Sequence, residues 1–513
     1  MSAIEVLPRD EHNLELVRQT HPADWKNPTP QGKYDLVAIG GGTAGIIAAL
    51  GTAGVGGRSA LIERHLLGGD CLNYGCVPSK ALIRAAKDAL RIADCGLRID
   101  GQHESAIRNL QSAIGPSLFP AAMERMRRLR AQISHHDSAQ RFAGLGVDVY
   151  LGSARFTGPQ SVEVGGQRLE FKRCVIATGA RAAKADIPGI EQVGYLTNET
   201  VFSLTELPRR LIVIGGGPIG CELAQAFRRF GSEVQLVHRG ARLLPKDDPR
   251  AADVLQKQFA REGIAVYLNS KTVRAEPSAA GKRLVIEAAG KEQTLVADAI
   301  LVAVGRAVNV EGLEFEAAGV KYSSRGVEVN DFLQTGNPRI YAAGDIAGSY
   351  QFTHAADAMA RACIQNALFF GRQRLSRMVM PWCTYTDPEV AHVGLTAAAA
   401  EKQGIAIDSY REELSRVDRA VLDGEEDGFA VVHCRRGTGR VVGATIVARH
   451  AGEMIGELSL LMTAGLSLGT LAGTIHAYPT QVEVLKRIAD QYNKTRLTPF
   501  VARLLRVVLR WRS

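Results

Sequence analysis

Two cysteines stand five positions apart in residues 68–80, which read GGDCLNYGCVPSK. This pair, Cys71 and Cys76, can close a small disulfide ring with little movement of the backbone. The residues from Pro78 onward predict a helix, so Cys76 lies just before a helix N-terminus, where the helix dipole favours a thiolate and lowers the thiol pKa. Lys80 follows Cys76 by four residues and shares its predicted helical face. The stretch therefore predicts a redox-active dithiol; the alternative is a structural disulfide or two buried thiols.

The first nucleotide-binding signal is a glycine-rich turn. The apolar run 34–39 predicts a buried strand, and an alanine-rich helix follows the glycines. In this setting Gly40 forms the tight turn, Gly42 lets a pyrophosphate approach the backbone, and Gly45 lets helix and strand pack closely. The next predicted strand ends at Glu63, where an acid is expected to bond a ribose hydroxyl. Together these features predict a dinucleotide-binding fold.

A second copy of this pattern lies further along the chain. After a predicted strand at 211–214, its glycines are Gly215, Gly217 and Gly220. Each copy is followed by an apolar strand that ends in a glycine turn, and these closing stretches contain Thr178 and Gly179 in the first copy and Gly305 in the second. Two fingerprints with matching closures predict two dinucleotide-binding folds.

The order of the motifs indicates which cofactor each fold binds. The dithiol directly follows the second strand of the first fold and must reach a flavin ring, so we expect FAD there, with Asp345 bonding a cofactor hydroxyl. The second fold should hold the nicotinamide cofactor. Its second strand ends at His238 and Arg239, with Arg242 nearby, instead of at an acid, which suits a 2′-phosphate. NADPH is therefore favoured over NADH; the alternative is that these arginines are merely solvated.

Composition and charge limit the remaining classes. The chain has 513 residues, 46% of them hydrophobic, and a net charge of +9, of which five charges are arginines within residues 496–513. No basic stripe is interleaved with aromatic residues, so we predict no nucleic-acid binding. The first residues lack an apolar signal core and no stretch reaches membrane-spanning length, which predicts a cytoplasmic protein. The cysteines other than Cys71 and Cys76 stand singly in apolar or helical surroundings, as reduced core thiols do.

Two segments are rich in arginine. The run 125–130 contains Arg125, Arg127, Arg128 and Arg130 and is predicted to form a solvated helix face. Residues 496–513, the basic tail, place valines and leucines on one helical face with arginines around them. A membrane-surface helix is one interpretation of the basic tail. We favour a tail that packs on the protein or frays.

With these motifs established, residues 34 to about 495 resemble the class I pyridine nucleotide–disulfide oxidoreductases, which include glutathione reductase, dihydrolipoamide dehydrogenase and mercuric reductase. The pattern at 68–80 looks closest to mercuric reductase. The resemblance implies an α/β protein with two Rossmann-like dinucleotide-binding domains and a C-terminal α/β dimerisation domain, assembled as a homodimer. The domains we expect are an N-terminal arm (1–33), an FAD-binding domain (34–190 and 306–376), an NAD(P)-binding domain (191–305), the dimerisation domain (377–495) and the basic tail (496–513).

The resemblance also implies roles for individual residues. Cys71 would be the interchange thiol that faces the substrate, and Cys76 the charge-transfer thiol against the flavin. Lys80 would lie near the flavin and pair with Glu222. The remaining cofactor contacts would come from Gly69, from Asp345 at the ribityl chain, and from Thr353 and His354 near the pyrimidine end of the flavin.

The chain departs from the family at the acid/base position. Members that act on thiol disulfides carry a His–Glu pair there, whereas the matching positions here hold Tyr478 and Glu483. A phenol with a pKa of about 10 is a poor proton shuttle at neutral pH. His476 is the alternative acid/base group if the loop is rearranged. Mercuric reductase also uses a cysteine pair near its C-terminus, but no cysteine follows Cys434 in this sequence.

The leading expectation is an NAD(P)H-dependent flavoprotein that passes electrons through Cys71 and Cys76 to an acceptor. The acceptor would be a metal ion, as in mercuric reductase, or a small disulfide or quinone-like oxidant, and no resident metal site is expected. One alternative is an NAD-dependent dihydrolipoamide dehydrogenase. Another, from a different class, is a redox-sensing protein that binds a membrane or partner through the basic tail.

Overall fold

The computed structural model describes residues 4–98, 105–348 and 350–512, and their side chains except those of 91–98 and 105–116. The chain forms two compact units. The first contains Met1–Gly215, Leu223–Arg239 and Ser270–Arg377. The second contains Gly216–Glu222, Gly240–Asn269 and Met378–Ser513.

The first unit is built on a mostly parallel sheet. Its parallel strands, in spatial order, are Val147–Leu151, Ser59–Glu63, Tyr34–Ile39, Gln167–Ile176 and Ile340–Ala342. Strand Ser161–Val164 extends it as an antiparallel neighbour of Gln167–Ile176, and Ala154–Gly158 pairs antiparallel with Ser161–Val164 at the edge. The central strands are buried along nearly their whole length, as expected for a parallel sheet covered on both faces.

The α-helices of the first unit are Glu11–Thr20, Thr43–Gly54, Gly69–Asn73, Cys76–Arg98, Ser105–Ser134, Ala139–Gly144, Ile190–Val193 and Thr353–Leu368. Its 3-10 turns are His135–Asp137, Val201–Ser203, Phe315–Ala318, Asp345–Ala347 and Leu375–Arg377. Helix Pro218–Arg229 runs from the second unit into the first.

The first unit also contains a second, smaller parallel sheet, in which the equivalent strands have the same spatial order as in the first sheet. Strand Arg210–Ile214 pairs with Glu233–Val237 on one side and Ala299–Val302 on the other. An antiparallel sheet follows, formed by Ser270–Ser278, Gly281–Ala288 and Lys291–Ala297. Two small pairs complete the unit, Ala180–Ala182 with Arg306–Val308 and Tyr322–Ser323 with Gly326–Val327.

The second unit contains a five-stranded antiparallel sheet. Its spatial order is Pro381–Thr384, Glu389–Gly394, Val441–Ala448, Phe429–Arg435 and Ile407–Glu413. Helices Ala451–Ala464 and Glu483–Arg496 contribute Leu458 and Ile488 to its core. The other elements are Pro249–Glu262, Ala265–Tyr267, Ala397–Lys402, Leu414–Arg416, Asp418–Asp423, Leu468–Gly473 and Pro499–Arg512.

Within the first unit, helix Glu11–Thr20 of the N-terminal arm packs on helix Ser105–Ser134, and two arginines predicted to be solvated are buried there. Asp10 caps helix Glu11–Thr20 and pairs with Arg127. Arg130 donates to Asn13 Oδ1 at 2.7 Å and to the carbonyl of Asn73 at 2.7 Å. The prediction of a solvated face is therefore wrong for Arg127 and Arg130, because the arm supplies acceptors that the local sequence does not reveal.

Of the two expectations for the basic tail, packing on the protein or fraying, the first is not met within the described residues of one chain. Helix Pro499–Arg512 contains no buried residue. Trp511 is 90% exposed and Phe500 is 74% exposed. Among the described residues, no helix combines the length and apolar composition needed to cross a bilayer.

Candidate functional site

The two predicted redox thiols lie side by side. Cys71 is in the short helix Gly69–Asn73, and Cys76 is the first residue of helix Cys76–Arg98. Both are free thiols that hydrogen-bond each other, and the Sγ of Cys76 lies 3.4 Å from the hydroxyl oxygen of Thr353. Helix Thr353–Leu368 thus brings a hydroxyl donor to the sulfur that the sequence places at a helix N-terminus.

The two thiols differ in acidity. The hydrogen bond from the Cys71 thiol lowers the pKa of Cys76 to about 6, with further help from the Thr353 hydroxyl and the Lys80 ammonium and against the effect of burial. The same hydrogen bond, together with burial, raises the pKa of Cys71. At neutral pH the reduced pair therefore consists of a Cys76 thiolate and a Cys71 thiol that donates to it.

An arginine bridge lies next to the dithiol. Arg306 contacts Asp70 at 3.0 Å and Asp345 at 3.2 Å, and Asn198 also donates to Asp70 at 3.4 Å. Burial raises the pKa of both Asp70 and Asp345, and the Arg306 guanidinium opposes this in each case. The bridge joins the residue that precedes Cys71 to the acid predicted to bind the cofactor.

The first glycine turn, together with residues 68 and 69, forms a surface of backbone atoms without side chains, which we call the first nucleotide cradle. Gly40 has φ +110°, and a Cβ there would lie 2.3 Å from the carbonyl oxygen of Ala177. Gly69 has φ +58°, and a Cβ there would lie 2.6 Å from the Cα of Gly42. The N–H of Gly68 donates to the carbonyl of Gly41 at 2.8 Å. The stretch that leads into the dithiol therefore rests directly on the glycine turn.

These residues fit an adenine dinucleotide at the first fold. At Gly45 a Cβ would lie 1.8 Å from the carbonyl oxygen of Gly40, which gives the close helix–strand approach that pyrophosphate binding needs. Glu63 is half-buried and accepts from the N–H of Gly41 at 2.5 Å, and burial raises its pKa. The Nε of Arg306 is buried and has no hydrogen-bond partner among the described residues, so it is a donor that a cofactor oxygen can satisfy.

The second glycine turn repeats the geometry of the first. Gly215 has φ +122°, and a Cβ there would lie 2.2 Å from the carbonyl oxygen of Ala303. Ala303 follows strand Ala299–Val302 as Ala177 follows Gln167–Ile176, so the predicted repeat is present in three dimensions. Gly217 and Gly220 follow Gly215 along the chain, Gly305 has φ +135°, and His238 and Arg239 come directly after Glu233–Val237.

Three further predicted cofactor residues have contacts of their own. Thr178 and Gly179 both hydrogen-bond Asn309. The Thr178 hydroxyl donates to the backbone carbonyl of Asn309 at 2.8 Å, and the backbone N–H of Asn309 donates to the Gly179 carbonyl at 3.0 Å. His354 is exposed, and its ring stacks on Phe352 at 5.4 Å. The predicted pairing of Lys80 with Glu222 stays a prediction; a carboxylate oxygen of Glu222 accepts the N–H of Tyr385 at 2.8 Å.

In the second unit, the predicted acid/base residues have other partners. The hydroxyl of Tyr478, which is 70% exposed, donates to Asp418 at 2.7 Å, and this hydrogen bond raises the pKa of Tyr478. Glu483 pairs with Arg487 at 2.9 Å. His476 is separate from them: its Nε2 lies 3.0 Å from Glu457.

Sequence reasoning missed Arg306, Asp70 and Asn309 as parts of the site. Asp70 stands beside Cys71 and Arg306 follows the closing Gly305, so position next to a motif was the available signal. Nothing local indicated Asn309. Among the residues that the structure describes, no group of three or more His, Cys, Asp or Glu side chains is arranged to hold a metal ion.

The chain belongs to the pyridine nucleotide-disulphide oxidoreductase family. The model of that family matches residues 34–360, and the model of its dimerisation domain matches residues 380–489. The predicted family and α/β fold class are therefore confirmed, and the chain is a flavoprotein disulfide reductase of a family that uses FAD and a pyridine nucleotide.

Particular relatives differ in their acceptors. A mercuric reductase of Staphylococcus aureus is 34% identical over 465 residues, which cover 90% of this chain and 83% of that protein. A dihydrolipoyl dehydrogenase of Thermus scotoductus is 33% identical over 472 residues, covering 90% of this chain and 98% of that protein. The solved HOCl-induced flavoprotein disulfide reductase RclA of Escherichia coli is similar with a TM-score of 0.78 at 26% identity, covering 89% of this chain and 99% of that chain. RclA has also been solved as a Cu(II) complex.

Proposed function

We propose that this protein is an NADPH-dependent reductase that delivers electrons through Cys71 and Cys76 to a thiophilic metal ion, as its resemblance to mercuric reductases suggests. The observation that carries the proposal is the contact between Gly69 and Gly42, because it joins the dithiol to the first nucleotide cradle. Residues 34–190 and 306–376 would bind FAD, and residues 191–305 would bind NADPH. We propose a homodimer, in keeping with the dimerisation domain matched at 380–489.

The electron balance of the thiol step is simple. FAD held at the first fold would supply the two-electron chemistry that connects a nicotinamide hydride to the disulfide. The disulfide takes up these two electrons and one proton, which yields a Cys71 thiol and a Cys76 thiolate. Thr353 and Lys80 stabilise the thiolate charge, and the Arg306 bridge would hold Asp345 towards the cofactor.

The nature of the acceptor follows from the chemistry of the thiols and from the residues at the acid/base position that the family resemblance implies. Soft thiolates bind thiophilic metal ions directly. The two electrons released when Cys71 and Cys76 form a disulfide reduce one Hg(II) to the metal or two Cu(II) to Cu(I), and the Cys71 proton is lost to water without an acid/base residue. A disulfide substrate instead needs a group that manages the proton of the attacking thiol. Tyr478, with a raised pKa and a bond to Asp418, suits that role poorly. The Cu(II) complex of RclA is a further reason to test copper as well as mercury.

Anaerobic titration of the yellow protein with NADPH tests the proposal. We expect the flavin absorbance to bleach and a long-wavelength thiolate-to-flavin absorbance to develop. Cys76→Ser should abolish that absorbance while leaving FAD bound, and Cys71→Ser should retain it. If Cys76→Ser keeps the band, the assignment of the thiols is wrong.

A screen of acceptors then identifies the reaction. NADPH oxidation is measured with Hg(II), Cu(II), lipoamide, glutathione disulfide and a quinone. We expect a metal ion to give the highest kcat/KM, and Cys71→Ser to remove that activity. Fast turnover of lipoamide with NAD would favour the second candidate, a dihydrolipoamide dehydrogenase, which the relative from Thermus scotoductus supports.

A further inference from the structure

The helix Pro499–Arg512 has a broad apolar face, and the part of the chain that the structure describes buries none of its side chains. Phe500, Leu504 and Trp511 are 74%, 53% and 90% exposed, and Leu509 is 68% exposed. The helix lies beyond the stretch matched by the dimerisation-domain model, which ends at residue 489. Its exposure is thus a feature of a segment that the family relationship does not explain.

The arrangement of side chains around this helix is strongly asymmetric. At 3.6 residues per turn the apolar side chains cover an arc of about 220°, and Arg503, Arg506 and Arg510 fill about 60° of the rest. Arg512, at the last position of the helix, is the charged residue within the apolar arc, and its long side chain can reach outward. Residues 496–513 contain five arginines and no acid.

We propose that the basic tail binds the surface of an anionic phospholipid membrane. A helix that packs on a protein core buries a stripe of roughly 100° and carries mixed charges on the remainder. Here the apolar arc is about twice as wide, and every charge is positive, which suits a helix lying in the headgroup region with its arginines against lipid phosphates. Trp511 is an indole of the kind that settles at the membrane interface.

The affinity should depend on lipid charge and on salt. Each arginine near an anionic surface contributes about a fivefold gain in partitioning, so the three arginines of the polar arc contribute about a hundredfold. Raising the salt concentration to about 1 M shortens the Debye length to about 3 Å and should remove most of this gain. The apolar arc accounts for the binding that remains.

Co-sedimentation with vesicles tests the proposal on the FAD-loaded, full-length protein. We expect binding to vesicles of phosphatidylglycerol mixed with phosphatidylcholine, and at least tenfold weaker binding to phosphatidylcholine alone. The charge variant is Arg503→Gln, Arg506→Gln and Arg510→Gln together, which should lose the preference for anionic vesicles. The matched control removes three exposed cations elsewhere, Lys271→Gln, Lys291→Gln and Lys402→Gln, and should bind as the wild type does.

Two further measurements separate membrane binding from assembly. Trp511 fluorescence should shift to the blue on anionic vesicles, and Trp511→Phe should still bind but lose this shift. The proposal is overturned if the wild type does not bind anionic vesicles at low salt, or if the control triple loses binding equally. A variant that ends at residue 495 gives the last test. The proposal is overturned if this variant binds vesicles as the wild type does but no longer forms the oligomer, because a second copy of the chain would then cover the apolar face. This inference does not rest on the proposed acceptor.

Discussion

Replacing Cys71 by alanine should raise the pKa of Cys76, and the contacts around the Cys76 sulfur set the size of the rise. In the wild type the hydrogen bond from the Cys71 thiol is the largest influence that lowers this pKa, to about 6, ahead of the Thr353 hydroxyl and the charge of Lys80. Cys76 is exposed in this single chain, but neighbouring protein atoms that displace water from its surroundings act in the opposite direction. Cys71→Ala removes the strongest donor and leaves the others in place.

The magnitude follows from the strength of such a bond. A hydrogen bond to a charged acceptor contributes about 1.5–3 kcal/mol, and about 1.4 kcal/mol corresponds to a tenfold change in acidity. The pKa of Cys76 should therefore rise from about 6 to between about 7 and 8. At pH 7 the thiolate fraction would fall from about nine-tenths to about half or less.

The assay is the pH dependence of alkylation at Cys76, followed by the mass of the peptide that carries it. The midpoint of the profile is the useful quantity, because a thiolate of higher pKa is also more nucleophilic and a rate at one pH understates the change. Background alkylation should be small. Cys174, Cys221 and Cys363 are buried, and burial raises the pKa of each.

Matched variants separate the donors. Cys71→Ser keeps a hydroxyl donor and should titrate closer to the wild type than Cys71→Ala does. Thr353→Val removes the contact at 3.4 Å and should raise the pKa of Cys76 by less, while Thr353→Ser should change it little. A Cys71→Ala protein that still titrates near pH 6 would refute the reasoning, since the helix N-terminus and Lys80 would then suffice.

Other predictions concern the arginine bridge, a buried acid, nucleotide choice and the acid/base position. Arg306→Leu leaves Asp70 and Asp345 without their cation and should lower the free energy of unfolding by about 3–5 kcal/mol. Thermal unfolding and the release of flavin fluorescence measure this loss, and Arg306→Lys should restore the stability only in part. Burial raises the pKa of Asp247 to about 6, so the folded protein holds this proton more tightly than the unfolded chain, and stability falls as pH rises from about 4 to about 6. Asp247→Asn, which keeps an oxygen for the Trp382 indole N–H, should remove that fall in the thermal midpoint. Arg239→Glu should lower kcat/KM for NADPH by about 10- to 100-fold while sparing NADH. Tyr478→His should increase the rate with lipoamide, and an unchanged rate would show that this position does not limit it.

The features that could be predicted from sequence are those whose cause is local. The positive φ at Gly40 and the close approach at Gly45 follow from a strand, a turn and a helix adjacent in sequence, so three glycines suffice to indicate them. Most of the acidity of Cys76 is local in the same way, because Cys71 and Lys80 lie within ten residues of each other, but the Thr353 hydroxyl comes from 277 positions away and has no local signal.

The features that could not be predicted depend on partners distant in sequence. Arg306 and Asp70 are 236 positions apart, and no rule of spacing brings them together. The burial of Arg130 likewise needs Asn13 from the N-terminal arm, 117 positions away. A basic run has the same appearance in sequence whether its acceptors are water or a distant segment, because the number and spacing of charges do not specify their partners.

The hydrogen-bond partners of Tyr478 and His476 say more about the choice of acceptor than the amino-acid types at these two positions do. His476 is paired with Glu457, and its Nδ1 is buried without a partner among the described residues, so this imidazole would have to break its carboxylate pair and become exposed to serve as a shuttle. Tyr478 is exposed, but its proton is held by Asp418 and its pKa is raised, so at neutral pH it can donate a hydrogen bond but rarely accepts a proton. A reaction that requires repeated proton uptake and release is therefore poorly served by Tyr478 and His476. Capture of a metal ion by two sulfurs needs one proton released from Cys71, and displacement by the metal itself favours that release. The same two residues that weaken the case for a disulfide substrate thus leave the case for a metal ion intact.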